Sequence, residues 1–433
     1  MANGVSVTDL TAILHEVWGD HGPWEQINEA IDSYKHFKQK SDEDKWEGEV
    51  YVESLHSGRN RGVKAVAERG QIPNADRQKY LELRVPNRYV YGSVEMTVQV
   101  MKEAKTKRAS FANAMENEMS GLVNDIAEQM ERMIWMTGNG QLCLVNGAGA
   151  DTTTLNVDTP GGFAGATNGA RFLNPGQTIG IHASGAAPSN TPNAVRKVST
   201  VADDGTSVVL DSAVSAAQAV DNGWVTVGVN RNSTLEGSVN LEPIGIPGLV
   251  DDGTMIATFF GLTISSNPIF KSKRFTSVAA IDENVLARAD DAALEFGGSV
   301  PNWITGHHSA HREYLRLVHA DRRYTGEHLK MPDLGTGGGK RQELTYQGRS
   351  IEKARYAPYG LLYGIDDRYL KRYVSTEGEW ADEDGSIYTR VSGQDIFQAY
   401  YRKFGNHGIL KRNCSWILDG LTITVDVNHA DNG

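Results

Sequence analysis

His307, His308 and His311 have the most metal-like spacing of any residues in this chain. On a helix His307 and His311 share a face, so two imidazoles could converge on a zinc ion that activates water for hydrolysis. Metalloprotease helices read His-Glu-x-x-His with the glutamate as general base, whereas here His308 stands in that place and Glu313 lies elsewhere on the helix. A metal-dependent hydrolase using His307 and His311 is therefore an alternative reading, behind a helix start packed near polar neighbours. Ser309 sits among these histidines without the Gly-x-Ser-x-Gly elbow that presents a nucleophilic serine. The run Gly335-Thr336-Gly337-Gly338-Gly339-Lys340 has the glycines and lysine of a phosphate loop. Arg341, however, replaces the Ser or Thr needed next, and a strand pattern follows where a helix is required. The carboxylates Glu377, Glu379, Asp382, Glu383 and Asp384 lack the alternating spacing of a calcium loop and read as a solvated face. No catalytic, cofactor-binding or metal-binding residue is expected.

With catalysis set aside, the charge pattern points to binding. Residues 56 to 88 hold eight basic residues, Arg59, Arg61, Lys64, Arg69, Arg77, Lys79, Arg84 and Arg88, against three acids, Glu68, Asp76 and Glu82. The whole chain of 433 residues carries a net charge of -11. A basic segment on an acidic body suits another copy of that body, which makes the eight cations candidate contacts between subunits. The acidic balance argues against a general nucleic-acid binder, which must neutralise phosphates.

Composition bounds the rest. With 39% hydrophobic and 22% charged residues the chain reads as folded, and its length suffices for two or three cores. Cys143 and Cys414, far apart in sequence, are expected as buried free thiols of a protein made in a reducing cytoplasm. Nothing at the start resembles a secretory signal. The longest apolar stretch, Met255 to Ile264, is far below the ~20 residues that span a bilayer, so no membrane partner is expected.

The elements that would position these residues follow from periodicity. From Ala109 to Thr137, Phe111, Met115, Met119, Leu122, Ile126, Met130, Met133 and Ile134 recur in steps of three and four, one stripe on a helix roughly 43 Å long at 1.5 Å per residue. Gly138-Asn139-Gly140 ends it. Before it, residues 1 to 45 alternate helical fragments too short to be stable alone. Residues 46 to 91 show period two, with runs at Val50 to Glu53, Val63 to Glu68 and Leu81 to Val85, and a turn at Ser57-Gly58-Arg59-Asn60. Such a hairpin is marginal unless it lies on a neighbouring surface.

After the helix, strands are predicted at Gln177 to Ile181, Val195 to Val201, Ser207 to Leu210 and Trp224 to Val229. The turns Asn174-Pro175-Gly176, Asp203-Asp204-Gly205 and Asp221-Asn222-Gly223 separate them, a pattern that suggests a small inserted barrel or sandwich. Beyond it come a helix with the face Val285, Leu286, Ala289, Ala293 and Phe296, a strand at Asn302 to Thr305 and a helix carrying Ala310, Tyr314, Leu317 and Val318. Strands recur at Glu343 to Tyr346, Ser350 to Ala357, Leu361 to Ile365 and Ile409 to Val427.

Taken in order, these parts resemble the major capsid protein of tailed bacteriophages, the Johnson or Hong Kong ninety-seven type. The resemblance rests on Gly58-Arg59-Asn60-Arg61-Gly62-Val63, Arg88-Tyr89-Val90-Tyr91-Gly92 and Phe296-Gly297-Gly298-Ser299-Val300-Pro301-Asn302-Trp303. It also rests on Tyr356-Ala357-Pro358-Tyr359-Gly360 and Asp366-Asp367-Arg368-Tyr369-Leu370. It implies an α+β fold: an N-terminal arm (1–45), an extended β loop (46–95), a peripheral domain with a long spine helix (96–141 and 396–433), an inserted β-rich domain (142–253), and an axial domain with its connections to the peripheral sheet (254–395). It further implies a structural protein, not an enzyme and without cofactors, that self-assembles into hexamers and pentamers of an icosahedral phage head enclosing double-stranded DNA. The implied partners are further copies of itself, portal, scaffolding and decoration proteins, and packaged DNA touched non-specifically. The implied location is the virion, reached from the host cytoplasm. Some members of the family join a lysine of the extended loop to a neighbour's asparagine. Lys64 and Lys79 stand in the extended loop here, but no motif identifies partners for them. A non-viral encapsulin-type compartment shell would share the fold and is the first alternative.

Overall fold

Gly92 is where the long helix and the main sheet meet, and the reason is steric. A side chain there would bring its Cβ within 2.5 Å of Ile126 Cδ1 and 3.0 Å of Leu122 Cδ1, so any residue but glycine would have to displace the ends of these helix side chains. The computed structural model that shows this describes residues 33–40, 46–99, 108–183, 185, 188–231, 233–321, 345–382, 387–391, 393 and 395–422. Most of the expected arm, the glycine run 335–339, Glu383 and Asp384 lie outside the described residues.

The sheet under the helix is built on the 14-residue strand Ile396–Ile409. It pairs antiparallel with Tyr89–Thr97 and with Leu370–Trp380, and Lys38–Lys40 adds a parallel strand beyond the latter. The spine helix spans Arg108–Ile134. Ile126, Met130 and Ile134 are buried, so over its described C-terminal half the expected stripe does face protein. The helix stops short of Thr137 because the N–H groups of Trp135 and Met136 turn to the carbonyls of Arg132 and Met133, tightening the last turn. Gly138 and Gly140 then take φ of +83° and +79°. A Cβ on Gly140 would meet the Ser238 carbonyl oxygen at 2.1 Å.

The next segment closes a six-stranded barrel from Gln141–Val145, Thr152–Asp158, Thr178–Ile181, Ala194–Val201, Ser207–Val214 and Trp224–Val227. Its interior is filled by alternate residues such as Leu142, Val157, Ile179, Val198, Val208 and Val225. Four of the six fall close to where the alternation places them, Gln141–Val145 and Thr152–Asp158 are additional, and Gly176, Gly205 and Asn222 occupy left-handed turn positions.

A six-stranded mixed sheet follows, in the order Lys273–Phe275, Trp416–Asp419, Leu361–Ile365, Trp303–Gly306, Arg349–Lys353, Thr345–Tyr346. The helices Glu283–Gly297 and His308–Asp321 cover it. Leu286, Ala289, Ala293, Ala310 and Tyr314 pack with Ile304, Leu362, Trp416 and Leu418. Phe296, expected on the buried face, is instead 56% exposed. It lies at the last turn, where Gly297 packs against the Asn413-Cys414 backbone and turns the preceding side chain outward. The expected strand at Ile409 to Val427 is broken by a 3-10 turn at Arg412–Cys414 and resumes as Trp416–Asp419.

One continuous core joins these units. Trp135, fully buried at the end of the spine helix, donates to Ser33 Oγ at 3.0 Å and lies edge-on to Trp303. Arg132 and Glu242, each 3% exposed at the side chain, pair at 2.5 Å. This places the segment leaving the barrel against the helix. Cys143 and Cys414 are buried free thiols.

Candidate functional site

The basic segment is carried by the hairpin Val50–Gly58 and Lys79–Pro86. At its base Tyr51, Leu83 and Val85 are fully buried in the main core, and Lys40 pairs with Glu53 at 2.7 Å. Burial fades outward along each strand: Leu55 and Leu81 are half-buried, and Tyr80 is 67% exposed. The hairpin is therefore anchored at one end only.

Between the strands, residues 59 to 78 form no strand, contrary to the alternation at Val63 to Glu68. Polar side chains bonded to backbone hold the neck of this loop. Asp76 accepts from the Arg61 and Arg77 N–H groups at 3.0 and 2.8 Å, Asn60 Nδ2 donates to the Asp76 carbonyl at 2.6 Å, and Asn60 Oδ1 accepts from the Gly62 N–H at 2.7 Å. The two backbone donors hold the Asp76 carboxyl below the usual aspartate range. A Cβ on Gly62 would meet the Asn74 carbonyl at 2.6 Å, so the neck admits only glycine there. The strands thus end in a shaped loop that exposes Val63 at 86% and Ile72 at 84%.

The eight candidate cations are not equivalent. Arg59, Arg61, Lys64, Arg69, Arg77 and Lys79 are exposed on the loop or at its neck. Arg84 is exposed too but pairs with Glu82 of its own strand at 2.8 Å. Arg88 is half-buried where the hairpin joins the sheet, and its carbonyl accepts from the Gly405 N–H. Burial pushes its guanidinium pKa down. Six of the eight therefore share one projecting surface, and Arg88 belongs to the hinge.

Asn406, which carries no motif, fixes that hinge. Its Oδ1 accepts from the backbone N–H of Ile244, its Nδ2 donates to the Pro86 carbonyl, and it is 2% exposed. One amide thus ties the hairpin exit, the segment after the barrel and the central strand. Only the third dimension brings these three pieces together.

The histidine cluster carries no comparable geometry for catalysis. His307 is buried, with Nδ1 2.7 Å from Ser309 Oγ and near the Ser309 N–H, as a cap for the helix that follows. Burial, with Arg171 and His308 nearby, pushes its pKa down to about 2, and burial brings His311 to about 4. Ser309 is 1% exposed, out of reach of a substrate. Among the described residues no group of three His, Cys, Asp or Glu is arranged to hold a metal, and no helix is long and apolar enough to cross a membrane. Of the acidic run, Glu377 pairs with Arg372 and Glu379 with Arg402 on the main sheet.

With the projecting hairpin, the spine helix on its sheet, the barrel and the mixed sheet in place, the chain superposes on a chain of the Cyanophage A-1(L) capsid asymmetric unit. The TM-score is 0.54 over 94% of this chain and 97% of that one, at 7% identity. This chain has a phage-capsid fold. Chains of Microbacterium phage Oxtober96 and of the capsid of a native GTA particle align over 97% and 96% of this chain, at TM-scores of 0.45 and 0.42 and identities of 8% and 9%. No protein-family model and no curated protein matches the sequence.

Proposed function

We infer that this chain is the major capsid protein of a tailed phage, a structural subunit whose hexamers and pentamers close an icosahedral shell around double-stranded DNA. The observation that carries this reading is the superposition, end to end, on a phage capsid chain. The hairpin supports it independently. A loop of 20 residues with Val63 and Ile72 in water is costly for a lone subunit, since apolar groups of that size contribute about 1.5–3 kcal/mol each when buried. The mechanism is binding alone: the basic loop lies on the acidic body of the next subunit, and charge sets register and encounter more than affinity. Arg59, Arg61, Lys64, Arg69, Arg77 and Lys79 are the contacts we assign to that surface, Arg84 and Arg88 serving the hairpin itself. Packaged DNA meets a chain of net charge -11 and is held loosely. Portal, scaffolding and decoration proteins remain partners implied by the resemblance.

Electron microscopy of the protein expressed alone tests the class. Closed, regular shells are the expected result, and a monodisperse small oligomer that never closes would overturn it. A compartment shell that stores a protein cargo is the second reading. The same particles would then copurify with a stoichiometric protein rather than take up DNA.

A further inference from the structure

Between the hairpin neck and the body lies a cavity of about 1020 Å³. Its walls are apolar where Leu55 and Leu81 of the hairpin face Phe270, Phe296 and Tyr369 of the body. Its rim carries Arg59, Arg61, Lys79 and Lys411 against one acid, Asp76, whose oxygens already accept two backbone N–H groups. An occupant of this space must be apolar on one side and anionic on the other.

The chain itself contains such a segment. Residues 1 to 34 include Asp9, Glu16, Asp20, Glu25, Glu29 and Asp32 and no lysine or arginine, while Leu10, Ile13, Leu14 and Val17 recur at spacings of one, three and four. The segment rejoins the body beside the cavity. His36 stacks on Trp303 at 3.8 Å, and its Nδ1 lies 3.4 Å from Asp367 Oδ2, two residues before Tyr369 in the cavity wall. A tether of this length raises the effective concentration of the segment at the cavity far above that of any separate molecule.

We propose that the acidic N-terminal segment of the same chain docks in the cavity beneath its own hairpin, its apolar residues against Phe296 and Leu81 and its carboxylates against Arg59, Arg61, Lys79 and Lys411. Docking there covers Phe296 and braces the hairpin from below. The angle at which the hairpin leaves the body is then set by the arm. The inference concerns the single subunit and stands whether or not subunits close into shells.

Zero-length carbodiimide coupling tests it on the full chain. Unlabelled and nitrogen-15-labelled preparations are mixed as unassembled subunits, coupled, digested and read by mass spectrometry. The Lys40–Glu53 pair, at 2.7 Å, is the internal positive control. The expected result is amide links from carboxylates of residues 9–32 to Lys79 or Lys411, within one isotope only. Isotope-hybrid links at those lysines would assign the cavity to the arm of a second copy and overturn the proposal. So would the Lys40–Glu53 link appearing with no link from residues 9–32 to Lys79 or Lys411. Shell formation, scored separately by microscopy, tests the assembly function without bearing on this result.

Discussion

The contact at Gly92 gives a prediction whose size follows from geometry. In Gly92→Ala the new methyl would sit 2.5 Å from Ile126 Cδ1, 3.0 Å from Leu122 Cδ1 and 3.1 Å from Ile126 Cγ1. The backbone there is an ordinary strand paired with Tyr401, so strain enters only through these contacts. Overpacking of this kind costs about 1–3 kcal/mol. Ile126→Val removes the very Cδ1 that the methyl meets first and by itself costs about 0.5–1.5 kcal/mol. In the double variant the worst contact is gone while the 3.0 and 3.1 Å contacts remain. The two changes should therefore sum to less than their parts by about 1 kcal/mol. Urea unfolding of unassembled subunits, followed by circular dichroism, measures all four corners of the cycle. Strict additivity would refute the argument, because it would mean that strand Tyr89–Thr97 and the spine helix do not touch at this point.

Four further outcomes follow from the same structure. Asn406→Leu leaves the Ile244 N–H and the Pro86 carbonyl without their partner and should destabilise the subunit by about 2–4 kcal/mol, read as a lower urea midpoint; an unchanged midpoint would remove Asn406 from the hinge. Arg132→Met should cost about 3–5 kcal/mol by stranding Glu242, and adding Glu242→Leu should recover most of it, since an apolar pair can replace a buried ion pair. Asp76→Ala should speed protease cleavage within residues 59–78 while the circular dichroism of the body stays constant. With its folded pKa below the usual value, Asp76 supports the neck above the unfolded pKa and should release it as pH falls through the folded value, so wild-type cleavage should rise in acid. Burial and nearby Asp158 raise the Cys143 pKa, and burial with Asp366 brings Cys414 up to about 11, so neither should alkylate at pH 8 until the chain is unfolded.

How far the sequence carries depends on whether a residue's partners are local. The spine helix was legible because Ile126, Met130 and Ile134 follow one 3.6-residue face, and four of the six barrel strands because Gly176, Gly205 and Asn222 punctuate them at turns. The long strands Leu370–Trp380 and Ile396–Ile409 were not, since Arg372, Glu377, Gln398, Arg402 and Asn406 interrupt any apolar alternation; their polar groups are satisfied across the sheet, as in the Arg402–Glu379 pair at 2.6 Å. Alternation also misled at Val63, Ala65 and Ala67, where no strand forms; Asp76 and Asn60 instead hold the neck of the loop, bonding the backbone at Arg61, Gly62 and Arg77. The basic cluster was visible as charge. Its division into six projecting cations, one self-paired arginine and one hinge arginine was not, because Glu82 and Gly405 acquire their roles only on folding.

The arm shows how an element too weak to fold alone can still be specific. Its described end, Ser33–Lys40, buries Phe37 to 4%, stacks His36 on Trp303 and adds a parallel strand at Lys371 to Tyr373. None of these contacts would hold a free eight-residue peptide against its conformational entropy, about 1–2 kcal/mol per residue. They suffice because the body presents the partners already in place. The hairpin works the same way at its base, where Tyr51 and Leu83 are buried in the main core, and it differs at its tip, where Val63 and Ile72 are left 86% and 84% exposed by the described residues. The base therefore fixes direction and the tip leaves binding energy unspent. A surface lying where the hairpin points would cover the two apolar side chains that the described residues leave exposed.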